Sequence, residues 1–184
     1  MNKKLLFALG AAVVVICGVL ATVLFLQPSQ PKNDSTEAIS LFVTGEYRDS
    51  SFGFDWTTNA IGSTSKTDIE SRLNCPAEAT EVYVFLATPG QERDSDFGWL
   101  AYAQNSFVNG TKSVLTPNFK PSGLVNGAPG ASYLKRIGGD YSLGLACTVG
   151  AKKNVLSVSY RSIKVESQTG KWNASPEPSI NQKN

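Results

Sequence analysis

After its apolar N-terminus the sequence predicts an all-β fold, two sheets packed as a sandwich. Three observations carry that expectation. Large residues alternate at a period of two in several short runs, most clearly Tyr141, Leu143, Leu145 and Cys147 behind the turn signal Gly138-Gly139-Asp140. Glycine and proline, 16 and 9 of the 184 residues, recur between the apolar runs, as turns require. Beyond the N-terminus no long stretch carries an apolar face at the helical period.

The chain reads as four parts. Residues 1–26 open with Met1-Asn2-Lys3-Lys4 and continue as an uncharged apolar run over 5–26. A helix of that run at ~1.5 Å per residue crosses the ~30 Å hydrocarbon layer. The paired lysines stay on the cytoplasmic side, so everything after Leu26 is expected outside a single-pass anchor in the cell membrane. The alternative is secretion after signal cleavage, with Val19-Leu20-Ala21 as the site. Residues 27–37, with Pro28 and Pro31, form a polar linker. Residues 38–166 make the sandwich, and the polar, proline-containing stretch 167–184 is expected to be a disordered tail.

Within the sandwich, Ile39, Leu41 and Val43 alternate, as do Phe52, Phe54 and Trp56. Thr67, Ile69, Ser71, Leu73 and Cys75 alternate against an unbroken polar phase, so that strand is expected to have one wet face. Residues 81–86 are a dense apolar run, read as a central strand buried on both faces. Phe97, Trp99, Ala101 and Ala103 follow, then a turn at Asn109-Gly110. The glycines and prolines of 116–130 read as edge or loop. A short strand is expected over 133–137 before the strand of Tyr141. Lys152-Lys153-Asn154 is a hairpin turn into a last strand over 155–165. There the inward phase passes from Leu156, Val158 and Tyr160 to Ile163 and Val165, which predicts a bulge near Arg161-Ser162. Cys75 and Cys147 both lie in the inward phase, so facing strands can join them as a disulfide, which an extracytoplasmic address permits. Two reduced, buried thiols are the alternative.

Cys75-Pro76-Ala77 closing one strand, then Gly139-x-Tyr141-x-Leu143-x-Leu145-x-Cys147 and a final strand, resemble bacterial immunoglobulin-like or fibronectin-III-like surface domains. The resemblance covers residues 65–165. It implies an immunoglobulin-like two-sheet β-sandwich that serves adhesion, spacing or ligand presentation rather than catalysis.

Composition narrows the chemistry. The chain has no histidine, which excludes a Ser-His-Asp triad, a Cys-His pair and a HExxH zinc site. Ser63-Thr64-Ser65-Lys66 matches S-x-x-K, but it lies in a loop and lacks the partner motif of that enzyme class. Between residues 33 and 166 there are 12 basic and 14 acidic residues, without the basic stripe that nucleic acid needs. Glu92, Asp94 and Asp96 are spaced so that their oxygens can converge on calcium, although Arg93 sits among them. Trp56 and Tyr102 are the aromatic candidates for ligand binding, since flat rings stack on sugars and anchor protein partners. The expectation is a non-enzymatic, cofactor-free binding or structural module of a bacterial cell surface, held by residues 5–26. Its partner is expected to be a protein or a cell-wall glycan, and a carbohydrate-binding domain is the alternative.

Overall fold

The computed structural model describes residue 35 and residues 37–114, 117–150 and 154–177. The expected membrane segment 5–26 and most of the linker lie outside them. Among the described residues no helix is long and apolar enough to cross a membrane.

Among the described residues eight strands form two antiparallel sheets. The smaller contains β1 (Ser40–Val43), β2 (Glu46–Arg48) and β3 (Ile61–Ser63) in the order β2-β1-β3. Thr44 and Gly45 close the β1–β2 hairpin with positive φ at both positions, the two-residue turn whose twist suits such a hairpin. The larger sheet contains β4 (Glu81–Ala87), β5 (Trp99–Asn105), β6 (Gly139–Val149), β7 (Asn154–Val165) and β8 (Trp172–Ala174), ordered β5-β4-β6-β7-β8. A seven-residue helix α1 (Ala131–Ile137) leads into β6.

The two faces of β4 explain why its sequence is almost continuously apolar. Val82, Val84 and Leu86 join the main core with Ile39 and Leu41 of the small sheet's side and with Leu143, Leu145 and Ile163. Tyr83, Phe85 and Ala87 join a second cluster with Trp99, Ala146, Val158 and Tyr160. At Gly144, between Phe85 and Tyr160, a Cβ would sit 2.5 Å from the Tyr160 Cβ and 2.9 Å from the Phe85 ring. Glycine there lets the rings close over the strand.

Several expectations are corrected. The bulge in β7 lies at Leu156, where Cys147 pairs with Ser157 but Thr148 with Val155. Around Arg161-Ser162 the ladder is regular. The apolar phase changes there because Val158 and Tyr160 serve the second cluster, while Ile163 and Val165 serve the main core. Residues 133–137 are helical, not a strand. Ala131 and Leu134 bury at a spacing of three, Gly138 ends the turn by donating to Leu134 O, and Lys135 and Arg136 suit the negative C-terminal end.

The run 67–75 is not a strand: residues 69 and 70 form a turn, and beyond them only Asn74 bridges, to Ser113. Asp68 Oδ1 accepts the Glu70 N–H and Ser65 Oγ accepts the Thr67 N–H, so short polar side chains take the backbone groups that a ladder would need. Phe54 lies on an isolated bridge rather than in a strand. The expected disordered tail also fails over its first part. Trp172 is fully buried, stacked on Phe54 at 4.1 Å, and exchanges two 2.8 Å backbone bonds with it. Burying one indole outweighs the polarity of its neighbours.

Candidate functional site

The covalent feature comes first, because it fixes the loop before β4 against β6. Cys147, on β6, and Cys75 are joined as a disulfide with their Cα atoms 5.5 Å apart, as the sequence predicted. Both are buried. Cys75 is held in place from the other side by its N–H, which donates to Lys112 O.

The three acids of the 91–96 loop do not share a site. Glu92 turns inward, where its Oε1 accepts the Ser142 hydroxyl at 2.6 Å and the Gly90 N–H at 3.0 Å. Its carbonyl accepts the Trp99 indole N–H at 2.7 Å. Asp94 Oδ1 accepts the N–H groups of Asp96 and Phe97, closing the turn into β5. Asp96 is exposed. Glu92 and Asp94 each spend a carboxylate oxygen on donors of this loop and of β6, so the three side chains do not converge on one point. No group of three or more Asp, Glu, Cys or His residues among the described residues is arranged to hold a metal.

Trp56 and Tyr102 are separated as well. Trp56 belongs to the main core and shows 6% of its surface. It forms the floor of a groove of about 490 Å³ that also takes in Leu124, Val125, Pro129 and Lys135. Val125 stands 81% exposed on that rim. Tyr102 is half-buried beside the second cluster, with its ring centroid 5.9 Å from that of Tyr83 and 6.0 Å from that of Trp99. Burial, reinforced by the hydrogen bond from Tyr83 to Glu81, pushes the Tyr83 phenol up to about 12.

One polar cluster escaped the sequence reading. Arg161 lies in the inward phase of β7, 3% exposed, at the seam between the sheets. Its guanidinium donates to Ile39 O and Ser175 O. Glu177 faces it, with Oε1 3.7 Å from Nη1. The same Oε1 accepts the Ser40 hydroxyl at 3.0 Å and the Tyr47 hydroxyl at 3.3 Å, while Oε2 meets Lys66 Nζ at 3.0 Å. Burial lowers the Arg161 pKa, and the charge of Glu177 opposes that. Burial and the neighbouring carboxylate raise the Tyr47 phenol. An arginine in mid-strand was the available signal, and reading it as a bulge concealed it. In the S-x-x-K stretch, the Ser63 hydroxyl shares its one proton between Asp68 O at 2.6 Å and Ser71 O at 3.0 Å, and Lys66 turns to Glu177.

Comparison with family models, curated proteins and solved structures gives no match to this chain.

Proposed function

We propose that this chain is a membrane-tethered, extracytoplasmic binding or structural module of a bacterial cell surface, built as an immunoglobulin-like sandwich. The observation that carries the address is the Cys75–Cys147 bridge, since such bridges persist in oxidising compartments. The apolar run 5–26 behind Lys3 and Lys4 agrees with it. A core shared by residues of both sheets supports the sandwich. The groove beside Trp56, with Val125 exposed on its rim, is the surface offered to a protein partner.

Protease treatment of bacterial spheroplasts that make the full chain tests the topology. Residues 33–184 should be digested from outside while a cytoplasmic marker survives. A domain spared until lysis would overturn the proposal.

Carbohydrate binding is the second reading, and Tyr102 favours it because its ring is the half-exposed member of an aromatic group. On a glycan array, selective binding that Tyr102→Ala abolishes would favour the sugar over the protein partner. Binding that survives Tyr102→Ala would remove Tyr102 from the site.

A further inference from the structure

The cluster around Arg161 has the form of a receptor and an occupant. Ser40 comes from β1, Tyr47 from β2, Lys66 from the loop after β3 and Arg161 from β7. Their hydroxyls and cationic groups converge on one carboxylate, and both of its oxygens are contacted. The occupant, Glu177, is supplied by chain that has already left the last strand, β8. Pro176 and Pro178 flank it in the sequence. Proline has no N–H, so neither neighbour brings a competing backbone donor.

Two observations say that the receptor wants an anion independently of Glu177. Arg161 is almost wholly buried, and its Nε has no hydrogen-bond partner. A cation in that position requires a counter-charge. The site also has an open side. The Lys66 side chain is 56% exposed, and a groove of about 370 Å³ starts at Tyr47 and runs past Arg48, Ser51 and Phe52. Arg48 lies along it, its Nη2 paired with Glu46 Oε2 at 2.7 Å and its guanidinium 4.7 Å over the Phe52 ring, and Asp49 lines the same groove. A segment laid in this groove reaches the socket at its Tyr47 end, where the charges of Lys66 and Arg161 await a carboxylate.

We propose that Ser40, Tyr47, Lys66 and Arg161 form a carboxylate-binding site that Glu177 fills in cis and that the glutamate or aspartate of an acidic peptide takes when Glu177 lifts away, Ser175 staying bound to Ser162 and Arg161. The site lies apart from the Trp56 groove and does not depend on it.

The test is chemical rescue in the full chain, held in detergent micelles, with sodium acetate as the probe. Thermal midpoints are read from tryptophan fluorescence in acetate and in sodium chloride of equal ionic strength. Glu177→Ala should gain about 2–4 °C from acetate over chloride at saturation, the shift expected of a ligand present several-fold above its dissociation constant. The wild type should gain nothing, and Lys66→Ala with Glu177→Ala should lose most of the gain. Equal midpoints of Glu177→Ala in the two salts would overturn the proposal, and so would an equal gain in the wild type. If Glu177→Ala does not fold in chloride, acetate should restore its folded fraction, read by the same fluorescence. A folded fraction indifferent to acetate would be equally fatal.

Discussion

Replacing both bridged cysteines by alanine, Cys75→Ala with Cys147→Ala, isolates the contribution of the one covalent cross-link among the described residues. Alanine is preferred to serine because both sites are buried, where a hydroxyl without a partner adds its own penalty. The bridge joins positions 72 apart in sequence. The chain-entropy relation for a loop of that size gives about 4 kcal/mol of stabilisation, acting through the unfolded chain. Loss of two buried sulfur atoms adds on the order of 1 kcal/mol on the folded side. For a chain of this length each 1 kcal/mol moves the thermal midpoint by roughly 2–4 °C. The variant should therefore melt roughly 10–20 °C lower, and its urea transition should steepen because the freed chain exposes more surface.

The assay is urea and thermal unfolding of the full chain in detergent, with and without reductant. Reductant should bring the wild type down towards the variant and leave the variant unmoved. A count of reactive thiols in denaturant checks the premise: without reductant only Cys17 should react, and with reductant all three cysteines should. A midpoint loss below about 2 °C with the bridge demonstrably formed would refute the argument from loop size. Three reactive thiols in the unreduced sample would refute the bridge itself.

Two further outcomes follow from the packing. Trp172→Ala removes a fully buried indole stacked on Phe54 and should cost about 3–5 kcal/mol in urea unfolding; a cost below about 0.5 kcal/mol would return residues 167–177 to the status of a tail. In an alkaline titration followed by phenolate absorbance, Tyr83 should ionise last, near the raised value of about 12. Because its folded pKa lies above the unfolded ~10, its contribution to stability is complete below pH ~10 and disappears as the pH rises towards 12. Tyr83→Phe should flatten that part of the stability profile, and an unchanged slope would exclude Tyr83 as its source.

The parts of the fold legible in the sequence are those where burial alone dictates the pattern. Residues 81–86 could be read as a central strand because both faces of β4 are covered, and β6 because Tyr141, Leu143, Leu145 and Cys147 all serve one core. The misread parts are those where a second force competes. Around 67–70 the alternation is real, but hydroxyl and carboxylate groups next to the backbone take its hydrogen bonds locally, and only 73–75 pair onward, with 112–114. In β7 the apolar residues change face between Tyr160 and Ile163, where the ladder is regular, which a one-faced pattern cannot represent. At the C-terminus a lone tryptophan among polar residues was the signal of a buried strand, and averaging over the stretch erased it. The Arg161 cluster assembles from residues 40, 47, 66, 161 and 177, so no local motif announces it.

The pairing of Trp172 with Phe54 also sets a clock on synthesis. These two residues are 118 positions apart (172 − 54), and chains grow at roughly 5–20 residues per second, so Phe54 waits on the order of 6–24 s for the ring that covers it. For that time the nascent chain carries an uncovered aromatic residue beside a half-built sheet. That surface stays open to other contacts until Trp172 itself has been added.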